Sequence, residues 1–218
     1  NIVFSCPCSW KRKYNVEKGD SITIQEQERS LKVTTDKALE FPPKEFDARG
    51  FDFEHLKLFL DEFYAQGYDE LTIIYEKSER VKEIQEFLGE STLGYEIVNQ
   101  FQKSLVVRNI SQNIEKEFDS ILRRCFLIIK QLSENTLETI KEKNFPALRG
   151  LMIMEETNRK LTNFCERVLN RRGYKKFNKT NFISCIVWQL DSIGKEYRLI
   201  CEYLSETQPE LQESTINL

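Results

Sequence analysis

The chain has 218 residues, 40% hydrophobic and 31% charged, with 32 basic and 35 acidic side chains and a formal net charge of −3. That length holds one large domain or two or three small ones and is enough to bury a core. The near balance of charge excludes recognition of nucleic acid or an anionic membrane by bulk electrostatics, so any such contact must be local.

At the start of the chain, Asn1-Ile2-Val3-Phe4 lacks the basic flank and long apolar region of a signal peptide. No later apolar run approaches the ~20 residues that span a bilayer. A cytoplasmic protein without membrane insertion is the expectation. Residues 1–35 read as a small β unit. An apolar start at Ile2 to Phe4 meets a bend at Pro7, followed by Trp10 to Tyr14 and a Gly19-Asp20 turn. Ile22 and Ile24, then Leu31 and Val33, alternate with polar residues on either side of a polar Gln25 to Ser30 turn. This unit is too small to close a core alone, so two chains are expected to interleave it as a homodimer, burying those four residues. Cys6 and Cys8 form a C-x-C pair with no second pair to complete a zinc site. Lys11, Arg12 and Lys13 are candidates for DNA phosphate contacts, although three adjacent basic residues are more often a solvated face.

Residues 36–50, with Pro42-Pro43 and Gly50, read as a linker. Between 51 and 109 the pattern predicts a small α/β module. Leu56, Phe59, Leu60 and Phe63 share one helical face that stops at Gly67, and Leu71 to Tyr75 is β-like. Val81, Ile84, Phe87 and Leu88 mark a second helix ending near Gly89, and Tyr95 to Phe101 and Leu105 to Val107 are two further strands. That order favours helices laid on one face of a sheet. No Gly-rich phosphate loop follows any of these strands.

From 110 to 206 the periodicity is helical and predicts three long antiparallel helices, with 207–218 as a tail. Ile110, Ile114, Phe118, Ile121, Cys125, Ile128 and Leu132 line the first, widened by Leu122, Phe126 and Ile129. Pro146 suits the first turn of the second helix, Arg171-Arg172-Gly173 ends it, and Asn178 or Thr180 is placed to cap the third. The third carries a seam of Ile183, Ile186, Leu190, Ile193, Tyr197, Ile200 and Leu204. In the second, Leu148, Leu151, Leu161, Cys165 and Val168 keep the same rhythm, but Glu155 and Asn158 take the two middle steps. Polar groups on a core-facing stripe are costly unless partnered, and Asp191 lies beside the facing seam. The fold class is therefore α+β and mostly helical, with an N-terminal β half-domain, a small α/β module and a C-terminal three-helix bundle.

An enzyme is not expected: one histidine, His55, no nucleophile beside a base in a known motif and no cofactor fingerprint are present. Cys125, Cys165, Cys185 and Cys201, on or beside apolar helical positions, read as small hydrophobes.

Two stretches resemble known families. Val3-Phe4-Ser5-Cys6-Pro7-Cys8-Ser9-Trp10, followed by Tyr14 to Ile22, is similar to the swapped-hairpin domain of AbrB/SpoVT-type regulators, in which a Ser-x-Pro-x-x-Trp segment leads to a short basic helix, a Gly-Asp turn and a closing hairpin. This implies DNA binding and dimerisation, and a further basic strand preceding Asn1. Met154-Glu155-Glu156-Thr157-Asn158-Arg159 and Leu190-Asp191-Ser192-Ile193-Gly194-Lys195-Glu196-Tyr197 resemble the acid-bearing helices of the PhoU family of phosphate-uptake regulators. An archaeal arrangement joins the two modules in this order. The resemblance implies phosphate-linked regulation, and a divalent or ferric metal held by Glu155, Glu156 and Asp191. Asn158 and Lys195 stand where that family has its second acids. Acids four apart on a helix offer a hard cation one face of oxygens, whereas Lys195 four residues after Asp191 supplies an internal cation and no cofactor is then needed. The resemblance thus leaves two readings, a weakened metal site and a metal-free polar network that fixes helix register. Two non-enzyme functions follow, a DNA-binding regulator or an interaction adaptor for a phosphate transporter or signalling kinase.

Overall fold

A computed structural model describes residues 5–27, 30–35, 41–111 and 117–210. The protein is α+β and mostly helical, and divides into two compact units, residues 1–42 and 43–218.

In the first unit, α1 (Cys8–Lys13) leads to a hairpin of β1 (Ile22–Gln27) and β2 (Ser30–Thr35). The segment Trp10 to Tyr14 is thus largely helical, and the strands reach closer to the hairpin tip than the expected Gln25 to Ser30 turn allows. The pairing Ile22↔Thr35, Ile24↔Val33 and Glu26↔Leu31 places all four alternating apolar residues on one face of the ribbon. Within a single chain Ile22, Ile24 and Leu31 on that face are exposed. The apolar start at Ile2 to Phe4 lies outside the described residues.

The second unit begins with a strand inside the stretch read as a linker. β3 (Lys44–Asp47) pairs in parallel with β4 (Glu70–Ile74) across the crossover helix α2 (Phe53–Gln66). Then α3 (Glu79–Ser91) precedes the antiparallel strands β5 (Tyr95–Gln100) and β6 (Ser104–Asn109), giving the sheet order β3-β4-β6-β5. A register irregularity between Ile97 and Asn99 bends β5. Leu71, Ile73, Leu105 and Val107 point to one face, where they meet Leu56, Leu60, Phe63 and Tyr64 of α2 and Val81, Ile84, Phe87 and Leu88 of α3. The helices therefore cover one face of the sheet, as the element order implies. At Asp52 the side chain accepts a 2.9 Å bond from His55 N and starts α2, and Gly67, at φ 104°, ends it in the left-handed region. Gly89 does not end α3, which continues to Ser91.

Three long helices complete the unit: α4 (Phe118–Lys141), α5 (Leu148–Arg172) and α6 (Thr180–Thr207). They run antiparallel in succession. Phe118 packs with Val168 and Val187 at one end, and Ile140 with Leu148 and Leu204 at the other. Pro146 lies in the short 3-10 turn Phe145–Ala147 that leads into α5. Several details depart from the sequence pattern. Ile110 precedes the helix and is exposed, Ile114 lies outside the described residues, and Phe126 faces outward instead of widening the buried face. In α6 the buried line runs through Val187, Leu190, Gly194, Cys201 and Leu204, with Ile193 and Ile200 exposed. Neither Asn178 nor Thr180 caps α6 with its side chain; the Thr180 hydroxyl accepts from Tyr174 N at 2.9 Å and fastens the preceding loop instead. Cys125, Cys165 and Cys201 are buried, whereas Cys185 is exposed.

Helix α5 is central, because α4 and α6 pack on one side of it and α2 and α3 on the other. The change at residue 110 is therefore a change of architecture within one compact unit. Among the described residues no helix is long and apolar enough to cross a membrane.

Candidate functional site

The polar residues of α5 form two sets with different tasks. Lys160, Asn163, Arg167 and Asn170 recur at steps of three, four and three, which keeps them on one helical face, the face toward α2 and α3. There they reach backbone carbonyls at and just beyond the ends of those helices. Lys160 Nζ donates to Gly89 O, and Asn163 Nδ2 donates to Ser91 O at 3.1 Å. Arg167 Nη1 donates to Tyr64 O and Tyr68 O, both at 2.8 Å, and Asn170 Nδ2 donates to Ala65 O at 2.9 Å. Cationic and amide donors at helix C-termini also oppose the negative end of each helix dipole. Arg167 is almost wholly buried, pairs through Nη2 with Asp69 Oδ1 at 2.5 Å, and lies over the rings of Tyr64 and Tyr95 at 5.0 and 5.6 Å. Arg171 donates to the same Asp69 oxygen. Burial holds the Tyr95 phenol well above its ordinary value, against the pull of Arg167.

The second set faces α6 and contains the residues singled out by sequence. Glu155 (2% exposed) and Asn158 (1%) are buried at the middle of the seam, where their spacing puts them. Asn158 Nδ2 donates to Leu190 O at 3.1 Å, while its Oδ1 has no hydrogen-bond partner among the described residues. Gly194 makes this contact possible: a Cβ there would stand 3.0 Å from Asn158 Nδ2 and 3.7 Å from Glu155 Cγ. That close approach turns the Gly194 face of α6 inward and explains why Ile193 and Ile200 swing out.

Lys195 Nζ contacts Asp191 Oδ2 at 2.6 Å, the i,i+4 contact that its spacing predicts. Asp191 Oδ1 in turn accepts from the Thr162 hydroxyl of α5 at 3.4 Å. Glu155 pairs not with Lys195 but with Arg198, at 3.3 Å. Glu156 is half-buried on α5, a step away from the Glu155–Asn158 line. Asp191 and Glu155 are thus each turned to a cation. Among the described residues no group of three or more His, Cys, Asp or Glu is arranged to hold a metal ion.

Lys195 is 57% exposed at its side chain and Asp191 only 16%, so water screens the pair and its loss is expected to lower stability by about 1 kcal/mol or less. We predict that Lys195→Asp, which sets two acids side by side, melts lower than the parent and regains that loss when millimolar Mn²⁺ is added, while the parent melting temperature is indifferent to Mn²⁺. A parent that binds the ion and melts higher would overturn the account of Lys195 as the resident cation.

Sequence reasoning missed a third group at the seam. Asp61 of α2 accepts from Asn163 Nδ2 at 3.3 Å, and its carboxyl is pushed up to about 6, chiefly by burial. Arg159 and Lys195 oppose that rise, and the negative charges of Asp191 and Glu166 add to it. Glu166 lies on the exposed side of α5, yet is raised in the same direction by loss of water and by Glu62 and Asp191. The junction of α2, α5 and α6 therefore concentrates carboxylates around two cations. The only sequence signal for Asp61 was an acid at the half-buried flank of an otherwise regular amphipathic helix.

The basic candidates lie in the other unit. Lys11, Arg12 and Lys13 are all exposed on α1, and Lys13 Nζ lies 5.7 Å from the centre of the Tyr14 ring. Successive helical residues diverge by about 100°, so the three cannot all face one phosphate strand. Comparison with protein-family models, curated proteins and solved structures finds no match to this chain.

Proposed function

We propose that this protein is a non-catalytic regulator that links phosphate supply to transcription. The observation that supports this reading most is the meeting of the two segments that resemble the PhoU family: Glu155 and Asn158 on α5 lie directly against the Gly194 turn of α6, beside Asp191 and Lys195. The exposed apolar face of the β1–β2 ribbon is consistent with an N-terminal unit that needs a second copy to cover it, as the AbrB/SpoVT-like reading requires. In this reading the N-terminal unit dimerises and contacts DNA through α1, and the larger unit receives the signal, with Lys195 in place of a metal.

Deleting the gene is expected to change expression of phosphate-uptake functions under phosphate starvation. The purified full chain should shift DNA with a steep salt dependence that becomes shallower when Lys11, Arg12 and Lys13 are replaced by Ala. A normal starvation response together with no DNA shift would favour the adaptor reading, with a transporter or kinase as partner.

A further inference from the structure

Helix α6 is buried along one side and carries large apolar side chains along the other, with Gln189, Lys195 and Glu196 exposed among them. Opposite the buried line through Leu190, Gly194 and Cys201, the outward face presents Phe182 (65% exposed), Trp188 (65%), Leu199 (58%) and Tyr203 (62%), with Ile193 and Ile200 at its edge. The feature is not the scatter of single apolar residues that any surface shows; it runs the length of the helix, about 30 Å from Phe182 to Tyr203 at 1.5 Å per residue. From their fractional exposure, and about 150–250 Å² for a whole large ring, these six side chains offer roughly 600–700 Å² per chain. Apolar patches of that size mark interaction surfaces.

We infer that this face binds the same face of a second copy, with the two α6 helices antiparallel about a twofold axis between Ser192 and Ile193. A twofold interface must be self-complementary, with residue i meeting j and j meeting i. The ends of the stripe fit that symmetry. About the midpoint between Ser192 and Ile193, Phe182 is mirrored by Tyr203, Cys185 by Ile200 and Gln189 by Glu196. Trp188 falls within one helical turn of the mirrored Leu199. The polar members fit the same arrangement: the Gln189 amide can donate to the Glu196 carboxylate of the other chain, twice per dimer, and no pair of like charges is forced together. Ser192 points straight away from the bundle at the centre, where a small residue lets two helices approach. Its hydroxyl already donates to Trp188 O at 2.9 Å, so covering it strands no polar group. The area from two chains, roughly 1,200–1,400 Å², reaches the range of a standard stable interface. The inference does not depend on the phosphate reading or on pairing of the N-terminal hairpins.

The test is a cross-link at the axis in the full chain. Facing helices 8–10 Å apart bring Cα atoms at the symmetry point to disulfide distance. With Cys185→Ser to remove the exposed native thiol, Ser192→Cys should form a covalent dimer under mild oxidation at micromolar concentration. The Cys185→Ser chain that retains Ser192 reports any bridging by Cys6 or Cys8. Adding Trp188→Glu and Leu199→Glu, both at exposed positions, should cut the cross-linked fraction about tenfold or more while leaving the helical circular-dichroism spectrum unchanged. A chain that is monomeric by light scattering, or a dimer in which Ser192→Cys does not cross-link, overturns the proposal. So does a cross-link that persists undiminished in the double Glu variant.

Discussion

Replacing Arg167 with Ala is expected to cost about 3–5 kcal/mol of folding stability, the penalty of breaking a buried, hydrogen-bonded ion pair. The side chain is fully enclosed and donates to Tyr64 O, Tyr68 O and the Asp69 carboxylate; without it each keeps a donor, Gly67 N, the Tyr95 hydroxyl and Arg171, but the buried fork that ties all three to α5 is gone. Truncation also leaves a cavity beside the edge-to-face pair of Tyr64 and Tyr95, whose rings now pack against the cation. Arg167→Lys is expected to recover only part of the loss, because one ammonium cannot reproduce the planar fork that serves the two carbonyls and Asp69 together. Urea unfolding of parent and variants measures the effect. A loss under 1 kcal/mol for Arg167→Ala would mean that α5 and the α2 terminus are held together mainly by apolar packing.

The second large effect is stabilisation. Asp61 titrates near 6 in the folded protein against an ordinary value of 3.8, so the native state holds its proton more tightly than the unfolded chain. Stability from this group is therefore fullest below about pH 4 and declines as pH rises through the interval up to 6; above 6 the penalty of the buried charge is complete. Asp61→Asn removes that penalty and keeps an oxygen for the Asn163 amide. It is expected to raise stability at pH 7.5 by about 1–3 kcal/mol, the free energy of a shift of one to two pH units. The gain should shrink steadily as pH falls toward 4. Paired melts of parent and variant across that range give the difference directly, and a gain that stays constant with pH would show that ionisation of Asp61 is not its source.

Much of the architecture was legible because long amphipathic patterns are hard to mistake. The apolar rhythm of α5, with its interruption at Glu155 and Asn158, and the turn at Gly67 could be read from residue order alone. What escaped depended on partners far along the chain. β3 is a four-residue strand between Pro42-Pro43 and Gly50, too short to show its alternation, and only its parallel pairing with β4 makes it a strand. The facing of α6 could not be read from its isoleucines, because Gly194 allows an approach to Asn158 that rotates the helix and leaves Ile193 and Ile200 outside. Nothing in the sequence around Arg167 sets it apart from the other cations of α5. Its acceptors lie on α2 and on the segment entering β4, about a hundred residues earlier, and no local pattern encodes that distance. The Asp191–Lys195 contact was legible because four-residue spacing on a helix fixes it, whereas the Glu155–Arg198 pair spans two helices and was not.

The two outer strands of the sheet bear on how this protein behaves when crowded. An outer strand normally offers a row of free amide and carbonyl groups on which another molecule can build, the first step toward fibrous aggregates. Here one border, β3, is only four residues long and begins Lys-Glu, and the other, β5, is bent by the irregularity between Ile97 and Asn99. Neither supplies a straight, uncharged template of the length that amyloid-like stacking needs. Both borders are thus proofed against strand addition by other molecules, a safeguard for a chain that exposes as much apolar surface elsewhere as this one does.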